Sequence, residues 1–162
     1  PFDLVRQLPW PPGIENRHRR HWNEGDAAQV DRYEGFPIAV EGFFVGAKLS
    51  GPESANCHRS EKDRRDFHLW LTARPGDERG GSIVAEVTPR VREHHPDWSL
   101  EKLHALAKER RKVRVSGWLL LDPEHPEELG RTRGTIWEIH PIMQIETEVQ
   151  GNWVPLDSVP KP

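Results

Sequence analysis

Cysteine is almost absent: Cys57 stands alone, so the chain holds no internal disulfide and a hydrophobic core must carry the fold unaided. That usage fits a reducing compartment. Long apolar runs are also missing. None approaches the roughly eighteen residues that a membrane-spanning helix needs, and no secretory signal opens the chain. The first residue is Pro1 rather than methionine, so removal of a targeting segment stays open and no compartment is assigned. Nor is there a strong charge of one sign. At a net charge of −3, no global field calls for nucleic acid or an anionic membrane. Local basic clusters exist at Arg17–His21, Arg64-Arg65, Arg110–Arg114 and Arg131–Arg133, each of which a solvated surface would explain. A chain of 162 residues is one domain, or one domain with an arm, and is long enough to bury a real core.

Residues 1–33 are rich in proline, arginine, histidine and asparagine, with Pro9-Trp-Pro-Pro-Gly13 as a breaker cluster and no sustained period. They read as an irregular N-terminal arm that packs through Phe2, Leu4, Leu8, Trp10 and Trp22. A barrel domain then occupies 34–157, followed by a loose tail at 158–162. The first strand runs from Ile38 to Leu49, long and curved, with Gly42 and Gly46 as bend or bulge positions. Asp66–Thr72 and Ser82–Thr88 form the second and third strands, the latter ended by Pro89. A helix follows between Trp98 and about Arg111, with Ser99 as N-cap, Leu103, Leu106 and Ala107 as its apolar stripe, and Lys108–Lys112 as a cationic finish. Lys112–Leu121 is the fourth strand and Gly134–Val149 the fifth, broken or bulged at Pro141. Trp153–Leu156 adds a short edge piece.

The most informative feature is a repeated doublet, an acid followed two residues later by a histidine: Asp66-Phe-His68 and Glu138-Ile-His140. Alternate side chains of a strand share a face, so each acid projects with its histidine while Phe67 and Ile139 point into a core. Ionisable groups stand where strand propensity favours Val, Ile or Thr, and local rules are broken most often where function lives.

Three strands, a helix and two more strands, with a long bent first strand, resemble the OB-fold, the five-stranded Greek-key barrel. The resemblance covers Ile38 to Val149 and is one of topology. The expected fold is therefore mainly β: a five-stranded OB-like barrel with one helix between strands 3 and 4 and an irregular N-terminal arm. Staphylococcal-nuclease-like proteins, which are OB-fold phosphodiesterases, share this order of elements. Their Asp-Gly-Asp-Thr run is absent here, which argues against direct membership.

In an OB barrel the third strand lies beside both the second and the fifth. Glu86, in Ile83-Val-Ala-Glu-Val87, would then lie between the two doublets. Imidazole and carboxylate together suit a divalent metal ion such as Zn, Mn, Fe or Ni. The expectation is that His68 and His140 bind the metal, with Asp66 or Glu138 completing the shell. Glu86 serves as the base that activates water, and Arg131 or Arg133 stabilises negative charge. His125 lies on a loop that rims OB binding faces, and Trp70 shares the face of Asp66 and His68, so both are read as substrate-binding. Trp137 shares the parity of Ile139 and belongs to the core; Trp118 is undecided. Ser54, Cys57 and His58 lack a third orienting group, so no nucleophile is read there.

The function these residues suggest is metal-dependent hydrolysis of phosphodiesters, with nucleic acid as the partner and no membrane involved. The alternative is a non-catalytic OB-fold module that binds single-stranded nucleic acid or a protein.

Overall fold

The computed structural model describes residues 1–15, 17–53 and 56–160. Six strands form one sheet: β1 (Pro37–Leu49), β2 (Phe67–Thr72), β3 (Ile83–Val87), β4 (Lys112–Leu121), β5 (Trp137–Val149) and β6 (Asn152–Pro155). They are ordered β3-β2-β1-β4-β5-β6, and a parallel pairing of β3 with β5, Val84 to Glu138 and Ala85 to Ile139, closes the first five into a barrel. All other pairings are antiparallel. The architecture is consistent with an OB-like fold, and β6 extends the edge where Trp153 suggested a strand.

Alternation explains the strands. In β4, Val113, Val115, Gly117, Leu119 and Leu121 are buried while the residues alternating with them are half-buried or exposed, as a strand with one face on a core requires. Leu69 and Leu71 of β2, Ile83 and Ala85 of β3 and Ile139 of β5 complete the interior, each fully buried. Burying each of the large aliphatic side chains contributes about 1.5–3 kcal/mol.

Two irregularities shape the barrel. The register of β1 against β2 shifts between Phe44 and Gly46, so the first strand bends where Gly46 was expected to bend it. Gly42 keeps a regular register against Val113; a Cβ there would lie 2.5 Å from the Thr72 carbonyl oxygen, so close strand approach is its role. In β5, the register against β4 shifts on both sides of Gly117, opposite Ile142, which bulges the strand around the cis His140-Pro141 peptide.

Two helices link β3 to β4. The second, α4 (Leu100–Lys108), has Ser99 as its N-cap, accepting from Lys102 N, and buries Leu103 and Leu106 against the barrel. The first, α3 (Pro89–His94), lies where the sequence marks only the end of a strand at Pro89. Thr88 accepts from Val91 N and Pro89 occupies the first turn, where its missing N–H costs nothing.

Among its described residues the arm is irregular between Gln7 and Asn23, apart from one 3-10 turn, and has a short helix near each end. It carries α1 (Phe2–Arg6) and α2 (Glu24–Val30), too short to show a sustained period, and Asn23 caps α2 by accepting from Asp26 N. Phe2, Val5 and Ile14 enter the core with Leu8, Trp10 and Trp22 packed against it, whereas Leu4 is exposed. The tail is held as far as Val159: the buried Lys102 donates from Nζ to the carbonyls of Leu156 at 2.7 Å and Val159 at 2.5 Å. Among the described residues no helix is long and apolar enough to cross a membrane.

Candidate functional site

The barrel sets both doublets on the outer face of three adjacent strands. His68 pairs with Glu86 across β2 and β3, and β3 pairs with β5 at Glu138, while Leu69 and Ile139 fill the interior. Loop segments on either side bury this outer patch: Asp66 is fully buried, and Glu86 and Glu138 are each 4% exposed. Glu86 and Glu138 border a cavity of about 490 Å³ whose wall also includes Glu53, His68, Asp122, His125, Arg133 and His140, with Arg19 and Lys48 adding positive charge.

Asp66, Glu86 and His140 each offer a ligand atom, all within 4.8 Å of one another. His140 Nε2 lies 3.5 Å from Asp66 Oδ2, and its Nδ1 lies 3.6 Å from Glu86 Oε2 and 3.3 Å from Glu138 Oε1. Among the described residues neither oxygen of Asp66 accepts a well-formed hydrogen bond, although both are sealed from solvent. Such a carboxylate is costly to bury unless a cation or proton compensates it.

His68 stands beside this group rather than within it. Its Nδ1 is 2.8 Å from Glu86 Oε1. Burial, with help from the cations Lys48 and Arg133, pushes the imidazole down to about 3. Burial and the neighbouring carboxylates Glu138, Glu53 and Asp66 raise Glu86 well above the ordinary range. Both shifts favour the neutral form of the group concerned. Glu86, expected as a base, is one of the three groups whose potential ligand atoms converge, and His68, expected as a ligand, lies against it.

Glu138 is shared. Oε1 faces His140, and Oε2 accepts from Arg133 Nη2 at 3.1 Å. Arg133, only 1% exposed, also donates from Nη1 to Asp122 Oδ2 at 2.6 Å. Burial alone would lower the His140 pKa, but the hydrogen bond and charge of Glu138, aided by Asp66 and Glu53, outweigh it and raise the group. Asp66 and Glu53 are both raised, chiefly by burial.

Remaining expectations fall on either side of the site. His125 lies in the cavity wall, its Nδ1 2.8 Å from Asp122 Oδ2. Arg131 is exposed and outside that wall, so of the two arginines only Arg133 is placed to meet charge there. Trp70 shares the face of His68, as its parity required, but is 4% exposed. The Arg79 guanidinium carbon lies 3.9 Å from its ring centroid and Lys48 Nζ 5.4 Å. Trp137 is buried in the core and Trp118 is 43% exposed. Cys57 and His58 are exposed, both at positive φ, and Ser54 lies outside the described residues. His95 stacks on Trp98 and meets Asp157 at 2.9 Å, away from the cavity.

Asp122 was missed. It ends β4 in the same Asp-Pro-Glu-His run as His125, and an acid three residues before a loop histidine was the available signal. Glu53 had none, since a lone acid in a polar loop resembles any solvated residue. Compared with known proteins, the chain matches no protein-family model and no curated protein.

Proposed function

We propose that this barrel is a metal-dependent hydrolase of phosphodiesters, with nucleic acid as substrate, and that Asp66, Glu86 and His140 hold the ion. The observation that carries the reading is the approach of three ligand atoms to within 4.8 Å, one from a buried Asp66 whose oxygens accept no well-formed hydrogen bond among the described residues. Glu53, Asp66 and Glu86 are all raised, by burial and by neighbouring carboxylates, so a divalent cation would take the place of the protons that these shifts favour. One nitrogen and two oxygens form a donor set for Zn, Mn or Fe.

A bound divalent ion would polarise a phosphoryl oxygen and acidify a water molecule. The chain's own residues supply the remainder. His68 fixes the orientation of Glu86, and Glu138 fixes that of His140, as partners of metal ligands do. Arg133, with Lys48 and Arg19 at the wall, offers positive charge to an anionic substrate.

Cleavage assays with single- and double-stranded DNA and RNA, each with Mg²⁺, Mn²⁺ and Zn²⁺, test this directly. Ion-dependent cleavage, lost in His140→Ala and Asp66→Asn, is expected. An inactive wild type that binds oligonucleotides with an affinity falling steeply with salt would replace the enzyme with a binding module.

A further inference from the structure

The proposed hydrolysis leaves one cavity group unused. His125 stands on the segment joining β4 to β5, and its ring lines the same cavity as Glu86, Glu138 and His140. Its position is built rather than incidental. Asp122 Oδ2 accepts from His125 Nδ1 at 2.8 Å and from Arg133 Nη1 at 2.6 Å, while Oδ1 accepts from Glu124 N at 2.9 Å. Arg133 then reaches Glu138, which touches His140. A continuous polar chain thus ties the loop histidine to the proposed metal ligands. No described group pairs with His125 Nε2, which leaves that nitrogen free on a ring bordering the cavity.

We infer that His125 is the general acid of this site, donating the Nε2 proton to the leaving-group oxygen of a phosphodiester, and that Asp122 is its positioning residue. The inference rests on the proposed hydrolysis. A water oxygen bonds to phosphorus as the bond from phosphorus to the leaving oxygen breaks. The Nε2 proton of His125 passes to that oxygen, the proton lost by the water goes to solvent, and His125 is left neutral until solvent reprotonates it. No oxidant or further reactant is needed. An acid of this kind contributes about 10²–10⁴-fold when the leaving group is a poor one. The charged state it needs is favoured locally: the Asp122 hydrogen bond and charge raise His125 to about 9, with burial and the Arg133 cation opposing and Glu128 assisting.

Two substrates separate this role from loop support. One is a dinucleotide, whose alkoxide leaving group needs a proton; the other is the p-nitrophenyl ester of a nucleoside monophosphate, whose phenolate does not. His125→Gln should lower kcat on the dinucleotide by about 10²-fold or more and leave the nitrophenyl ester within a few-fold of wild type. It should also leave ion affinity, read by calorimetry, unchanged. Asp122→Asn should lower the His125 pKa toward 6.5, read by NMR titration. Equal losses on the two esters, or no loss on either, would overturn the acid role while leaving hydrolysis standing. A wild type that cleaves neither ester would overturn hydrolysis and the acid role together.

Discussion

Arg133 Nη1 lies 2.6 Å from Asp122 Oδ2 and Nη2 lies 3.1 Å from Glu138 Oε2, so one guanidinium joins the end of β4 to the start of β5 beneath the cavity. With 1% of its surface exposed, it neutralises the buried Glu138 and the half-buried Asp122. Removing one partner of a buried pair leaves the other charge uncompensated, which costs about 3–5 kcal/mol. Arg133→Met should therefore destabilise the fold by that order in urea unfolding. Arg133→Lys should fall between, because a single ammonium cannot bridge both carboxylates as the planar fork does. A loss below about 1 kcal/mol for the methionine variant, the level of a surface pair, would mean that the bridge is solvated.

The His125–Asp122 pair makes a pH prediction. Asp122 raises His125 from 6.5 to about 9, so the folded chain keeps a proton over a range in which the unfolded chain has released it. The stability it contributes is complete below 6.5 and is lost as pH rises through about 9. Asp122 acts in the opposite sense. Burial would raise it, but His125 and Arg133 hold it well below the usual carboxylate range, so its contribution is present above that range and is lost in strong acid. Thermal unfolding of wild type should show an alkaline decline that His125→Gln lacks. Parallel curves for the two proteins would remove the pair from the stability of the fold.

Gly117 controls the bulge beside His140. A Cβ at this position would meet the Pro141 carbonyl oxygen, lie 2.7 Å from Ile139 Cγ2 and stand 3.1 Å from Ile142 Cα. Backbone atoms have little room to yield, so Gly117→Ala should cost about 1–3 kcal/mol in denaturant unfolding. Because Pro141 follows His140 directly, the same variant should weaken divalent-ion binding. An alanine variant with wild-type stability and ion affinity would show that β5 accommodates the methyl group without moving the imidazole.

Much of the barrel was legible because its strands obey a period of two. Lys112–Leu121 was read with the bounds that the structure gives, and the shared parity of Glu138 with His140 and of Trp137 with Ile139 follows from the same rule. Short helices escaped it. Phe2–Arg6 and Pro89–His94 span less than two turns, so no period accumulates, and only the Thr88 cap and Pro89 could have announced the latter. At the site, the sequence indicated which residues share a face but not how their side chains divide the space. The placement of Glu86 among the ligand atoms and of His68 beside them depends on distances across β2, β3 and β5 that spacing along one strand does not encode. Trp70 fell on the expected face, but Arg79, which covers it, comes from a turn with no periodic signal.

The central claim is that Asp66, Glu86 and His140 bind one divalent ion. Calorimetric titration of the metal-free protein with Zn²⁺ and Mn²⁺ tests it most directly, with Asp66→Asn and His140→Ala titrated alongside. The wild type should bind one ion per chain, and each variant should lose affinity by about tenfold or more, as expected when a ligand of a small site is removed. An absence of binding, or binding that both variants retain at wild-type affinity, would contradict it.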